Sequence, residues 1–215
     1  MISTRNLSEL PDIDTLKRLF QSLAMLDAIL SPEWQYRYYS FNAEWNVNEA
    51  LGSMRNGCGN HLFALFTCAG CFLKGFNHES VISSFQVSPP TVFPGVLDTV
   101  PTEFKSCLKE VALLPKETTF CIWRFYADNS WRIGETNFPP EEDADGSEEL
   151  LSILSGNPQQ YQDWAQGYYE TLLPIESITY IYQHQPLTQR IIHSLNHKVS
   201  IEMVIEDAKE IAYPS

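Results

Sequence analysis

Cys58, two residues later His61, and then Cys68 and Cys71 after six more residues supply ligand types that a tetrahedral zinc site uses. Cys68 and Cys71 stand among Leu, Phe and Ala, where cysteine serves as a small buried hydrophobe, and His61 lies a strand's length from them. The set therefore reads as packing, and no metal is assigned. Cys58 is also the one thiol with a base close in sequence, His61 or His78, as a nucleophile requires. Its setting, Gly57-Cys58-Gly59, matches neither a nucleophile elbow nor a phosphate loop, and it reads as a tight turn.

Asn77-His78-Glu79-Ser80 brings imidazole, carboxylate and hydroxyl together, but neighbours on an extended chain point to opposite faces, so adjacency makes no triad. Arg55, His61, Lys74, His78 and Glu79 would form one polar cluster if the glycine-rich loop folded over the following hairpin, as a small-molecule enzyme or binder needs. No catalytic residue and no cofactor follow from them. Glu141-Glu142-Asp143-Ala144-Asp145-Gly146 echoes the start of a calcium loop, yet Ser152 stands where the bidentate carboxylate belongs. An acidic loop capping the next helix is the simpler reading.

These residues must be positioned by a chain of 215 residues, long enough to bury roughly 70% of its unfolded surface. Hydrophobic residues make up 44% and charged residues 19%, the composition of a chain with a real core, and no linker or repeat divides it; one globular domain, 1–215, is expected. The formal net charge of −13 repels phosphate backbones and anionic lipid, which excludes nucleic acid and membrane surfaces as partners and leaves a basic protein as the electrostatic match. Five cysteines, an odd number in a chain that needs no staples, suit reduced thiols in the cytoplasm. The N-terminal residues lack the pattern of a secretory signal, and no stretch approaches the roughly 18 apolar residues of a membrane span.

Leu16, Leu19, Phe20, Leu23, Leu26 and Leu30 form one stripe of an amphipathic helix from Asp12 to Leu30, with Lys17, Arg18, Gln21 and Asp27 on its outer surface. Trp34 to Trp45 reads as an aromatic strand, Gly52 to Gly59 as irregular chain, and His61–Phe66 with Cys71–Phe76 as a buried hairpin. A short helix follows Pro101, with Phe104, Leu108 and Val111 inward, and a second hairpin pairs Thr118–Tyr126 with Trp131–Glu135. Ser147 is expected to cap one helix and Pro158 to begin another bearing Tyr161, Trp164, Ala165 and Tyr168 on one side. Ser177–Gln183 alternates as a strand, and short helices are expected over Thr188–Leu195 and Ile201–Ile211. The fold class is α+β: an antiparallel sheet built from hairpins, packed by N- and C-terminal helices.

Gly52-Ser-Met-Arg-Asn-Gly-Cys-Gly59, Lys74-Gly-Phe-Asn-His-Glu-Ser80, Phe93-Pro-Gly-Val-Leu-Asp98 and Thr119-Phe-Cys-Ile-Trp-Arg124 together resemble a family of uncharacterised bacterial proteins of about this length. The resemblance spans most of the chain and implies a bacterial origin, but it brings no established activity, cofactor or catalytic residue. In character the chain is similar to the small acidic immunity proteins that neutralise toxins, an analogy of type rather than of motif. The expected function is a non-enzymatic, protein-binding domain with Tyr36, Tyr38, Tyr39 and Trp45 as interface anchors.

Overall fold

A computed structural model describes residues 1–215. Six strands form an antiparallel sheet in the order of the chain: β1 (Tyr39–Asn46), β2 (Glu49–Arg55), β3 (His61–Phe66), β4 (Gly70–Phe76), β5 (Phe120–Phe125) and β6 (Arg132–Ile133). The helices are α1 (Ile13–Leu30), α2 (Ser147–Leu151), α3 (Pro158–Tyr168), α4 (Ile175–Tyr182), α5 (Gln189–Leu195) and α6 (Ile201–Ile211). The arrangement is the expected α+β fold with helices towards both ends of the chain. No helix is long and apolar enough to cross a membrane.

The chain divides into two compact units, one of residues 1–13 and 53–155, the other of residues 14–52 and 156–215. In the first unit every residue of β3 and β4 is buried, which explains their nearly uninterrupted apolar character. Their register pairs His61 with Phe76 and Phe66 with Cys71, and β4 continues onto β5 with Lys74 opposite Cys121 and Gly75 opposite Phe120. Gly75 has a steric reason: a Cβ there would lie 2.0 Å from the Phe120 ring. The residues after Pro101 form three separate 3-10 turns, Thr102–Phe104, Cys107–Lys109 and Val111–Leu113, in place of the expected helix. Phe104 and Cys107 point inward while Val111 is 78% exposed, because a three-residue repeat moves the buried positions away from those of an α-helix.

In the second unit α1 departs from a simple amphipathic helix: from Leu19 to Ile29 every residue is buried. Gln21 and Asp27, expected on its outer surface, are inside. The Gln21 amide donates to the Ile211 and Ala212 carbonyls, which finish α6, and the Ser22 hydroxyl donates to the Ile181 carbonyl in α4. The expected strand at 34–45 begins only at Tyr39, since Trp34–Tyr36 closes a 3-10 turn. Strand β2 then occupies half of the stretch expected to be irregular, which is confined to residues 56–60.

The segment expected as a strand at Ser177–Gln183 is helix α4. Its β-branched residues favour strand only weakly, and packing overrides that preference by burying Ser177, Ile178 and Ile181 along one helical face. Side-chain caps start three of the other helices: Asn157 accepts from Gln159 N–H, Thr188 from Ile191 N–H and Ser200 from Met203 N–H. At α2 the capping differs from expectation. Ser147 is the first helical residue, and Asp143 accepts from the N–H groups of Glu148 and Glu149 at 2.8 and 3.2 Å.

Candidate functional sites

The sequence-derived polar set divides by burial: His61 and Lys74 are buried, whereas Arg55, His78 and Glu79 are exposed. Lys74 and His61 come together because β3 and β4 carry them on one side of the hairpin, with Phe63 opposite Lys74. The Lys74 side chain is buried, and Nζ donates to the Glu117 carbonyl at 2.5 Å and stands 3.5 Å from His61 Nε2. The Phe63 ring lies 5.5 Å from Nζ, and the Arg55 guanidinium lies 5.3 Å from the same ring. Burial, followed by the positive charge of Lys74, depresses the His61 imidazole to about 3. A neutral imidazole offers Nε2 as an acceptor to the lysine ammonium, while Nδ1 faces Glu117 Oε2 at 3.9 Å.

Burial also lowers Lys74 to about 8, against the attraction of Cys121 and Glu117, and burial drives the Cys121 thiol up to about 12. A lysine near 8 has the chemistry of an amine nucleophile, but at 1% exposure it has no approach for a carbonyl substrate. Lys74 and His61 form a buried ammonium–imidazole contact on the β3–β4 hairpin. Glu117 and Cys121 belong to it and were missed, since Cys121 reaches Lys74 through the β4–β5 register and Glu117 from the chain just before β5, neither of which sequence spacing displays.

His78 and Glu79 are exposed, and His78 meets the same Phe76 ring as His61, at 6.4 and 5.3 Å between ring centroids. They belong to a clasp around the glycine-rich loop. Asn56 Oδ1 accepts from the N–H groups of Cys58 and Asn60, and Asn60 Oδ1 accepts from His78 N–H at 2.8 Å. Glu149 receives the amides of Asn60 at 3.2 Å and Asn77 at 2.7 Å. Gly59 has φ +105°, and a Cβ there would lie 3.2 Å from the His78 side chain, so this glycine is set by backbone shape and close approach.

The cysteines and His61 are spread along the hairpin. Cys58 and Cys68 are exposed, Cys71 is buried opposite Phe66, and His61 is at the other end of β3, about 17 Å of strand away. No three His, Cys, Asp or Glu side chains are grouped as metal ligands. The acidic segment also turns inward: Asp145 is buried, accepting from the Thr4 hydroxyl at 2.6 Å and from Ser147 N–H at 3.1 Å.

In the second unit Asp27 is fully buried beneath tyrosines. Its Oδ2 accepts from the N–H groups of Tyr38 and Tyr39, each at 2.8 Å, and its Oδ1 accepts from the Tyr161 hydroxyl at 3.0 Å. The buried hydroxyls of Tyr169 and Tyr182 make no hydrogen bond of good geometry, yet both feel the Asp27 charge, which adds to burial in pushing their ionisation up. Desolvation lifts the Asp27 carboxyl to about 6, against the pull of its donors.

Above this acid, Tyr38 meets Trp164 edge-on at 4.7 Å and Tyr168 at 5.3 Å, and Trp164 stacks on Tyr168 at 5.2 Å. The expected anchors separate here: Tyr36 is 62% exposed, Tyr38 and Trp45 are half-buried, and Tyr39 is buried at 4%. Trp34 and Tyr168, at 56% and 45% exposure, join the accessible set. The aromatic side of α3 was legible from its spacing, whereas the position of Asp27 beneath it was not.

No protein-family model, curated protein or solved structure matches this chain.

Proposed function

We propose that this is a non-enzymatic, cytosolic, bacterial protein-binding domain, immunity-like in character, whose partner is a basic protein. The observation that carries this reading is the aromatic surface above Asp27. Trp34 and Tyr36 project from a short turn that leads directly into Tyr38, and the Tyr38 ring packs on Trp164 and Tyr168 of α3. Leu172, 90% exposed, lies one turn's length beyond Tyr168 in the chain. Exposed tyrosine and tryptophan are the residues that dominate interface energies. Their buried supports, two backbone bonds and a tyrosine bond to one carboxylate, hold the presenting segments in place before any partner arrives.

Charge supports the same reading. The net charge of −13 draws a basic partner, and Glu33, Asp163 and Glu170 are exposed beside the aromatic residues in sequence. The proposed polar-cluster enzyme has less support, because Lys74 and His61 are enclosed while His78 and Glu79 face solvent.

The test is a pull-down from the source cell with the tagged chain, washed at low and high salt, beside a Trp34→Ala/Tyr36→Ala/Tyr168→Ala variant checked for folding by circular dichroism. A stoichiometric basic protein that salt releases and the triple variant fails to retain is the expected result. Retention of the same partner by the triple variant, or recovery of no basic protein, overturns the reading.

A further inference from the structure

A second site lies between α4 and α5, on residues that the aromatic surface does not use. There a half-open cleft of about 740 Å³, within the roughly 300–1,000 Å³ of small-ligand pockets, has Glu176, Ser177, Tyr180, Arg190, Ile191 and Ser194 among its lining residues, with Pro174 and Thr188. Two of the lining residues carry opposite full charges, yet neither Glu176 nor Arg190 takes part in an ion pair with the other or with any other group.

The hydroxyls are ordered. Ser194 donates to the Ile191 carbonyl at 2.7 Å, so the 2.7 Å contact between Ser177 and Ser194 has Ser177 as its donor and leaves the Ser177 lone pairs available. The Tyr180 hydroxyl is held by the Pro186 carbonyl at 2.9 Å, and Thr188 is engaged as the cap of α5. Tyr180, Pro174 and Ile191 line the same cleft. The cleft therefore offers an unpaired guanidinium, an unpaired carboxylate, an acceptor hydroxyl on Ser177 and an apolar lining from Pro174, Tyr180 and Ile191.

We propose that this cleft binds a small zwitterion, an α-amino acid or dipeptide with an apolar side chain. The ligand carboxylate pairs with Arg190 and its ammonium group with Glu176 and Ser177, while the apolar side chain lies against Tyr180 and Ile191. Arginine suits a carboxylate because its planar fork can donate two parallel hydrogen bonds. The site is independent of the protein-binding reading.

The experiment is a calorimetric titration of the full chain with L-phenylalanine, L-leucine and glycyl-phenylalanine, repeated with N-acetyl-phenylalanine amide, which keeps the ring but carries neither charge. Saturable binding at millimolar concentration or tighter is expected for one of the zwitterions. The uncharged analogue should fail, and Arg190→Gln and Glu176→Gln, both surface changes, should each weaken binding by about tenfold, the worth of one charge-assisted hydrogen bond. The dipeptide arm separates a free amino acid from a peptide ligand. Absence of saturation by all three zwitterions, equal binding of the uncharged analogue, or unchanged affinity in both variants overturns the proposal.

Discussion

The hydroxyl of Tyr161, in α3, donates to Asp27 Oδ1, in α1, at 3.0 Å across 134 residues of sequence. That bond joins the last turn of the first helix to the aromatic layer, and it is the only side-chain donor of good geometry on a carboxylate whose other oxygen is held by backbone. Tyr161→Phe removes it while keeping the ring. The expected loss of stability is about 1.5–3 kcal/mol, the range for a bond to a charged acceptor, read from urea unfolding with an unchanged denaturant slope. A loss below about 0.5 kcal/mol would show that Asp27 does not need this donor.

Asp27 also sets a pH dependence. Its carboxyl titrates near 6 in the folded chain against an ordinary 3.8, so the folded state prefers the protonated form. The resulting stability is present below about pH 4 and is lost as pH rises through about 6, amounting to about 3 kcal/mol. Asp27→Asn keeps an oxygen for the two N–H groups and abolishes the titration. The variant should therefore gain on the wild type from pH 4 to pH 7, and parallel stability curves would refute the shift.

Lys74 acts in the alkaline range. With its folded pKa near 8 against an ordinary 10.5, the unfolded chain binds the proton more tightly, and stability rises between pH 8 and 10.5 by about 3 kcal/mol from this group. Lys74→Met should remove that rise and be at least as stable as wild type at pH 7, since a buried cation gives way to an apolar chain of similar length. Taking the difference between the two proteins cancels the ionisation of other buried groups. The same variant should raise the His61 pKa from about 3, because the neighbouring positive charge is gone, and the imidazole proton resonances followed by NMR report it directly.

Arg37 is bound on every side. It donates two bonds of 2.8 Å to Asp207 in α6 and further bonds to the carbonyls of Ser31 and Pro32 at 3.0 and 2.9 Å. Arg37→Ala leaves a largely buried carboxylate unpaired and should cost about 3 kcal/mol. Arg37→Lys should recover only part of it, because an ammonium lacks the planar fork. Full recovery by lysine in a thermal melt would reduce the contact to simple charge attraction.

Gly75 tests the steric reading of the sheet. Gly75→Ala drives a methyl into the Phe120 ring and should cost about 1–3 kcal/mol through overpacking. Phe120→Leu in the same chain should relieve part of that cost, giving a coupling that additive single changes would lack.

Much of the fold follows from local chemistry in the sequence. Two runs of apolar residues bracketing Ala69-Gly70 can only be a buried hairpin, and Pro158 behind Asn157 begins a helix whose caps and stripe agree with each other. The expectation about partners rests on net charge, which is a sum over residues and needs no geometry. Position was a different matter. Asp27 and Gln21 read as outer residues of α1 because spacing cannot say how many sides of a helix are covered, and tertiary packing covered them all from Leu19 to Ile29. Ser177–Gln183 alternated like a strand, yet burial of Ile178 and Ile181 on one side made it a helix, since propensities of a few tenths of a kcal/mol yield to packing. The candidate sites depended on tertiary structure for the same reason. Lys74 meets Cys121 only through strand register, Asp27 meets Tyr161 only through helix packing, and pairings between residues distant in the chain leave no spacing for a sequence to display.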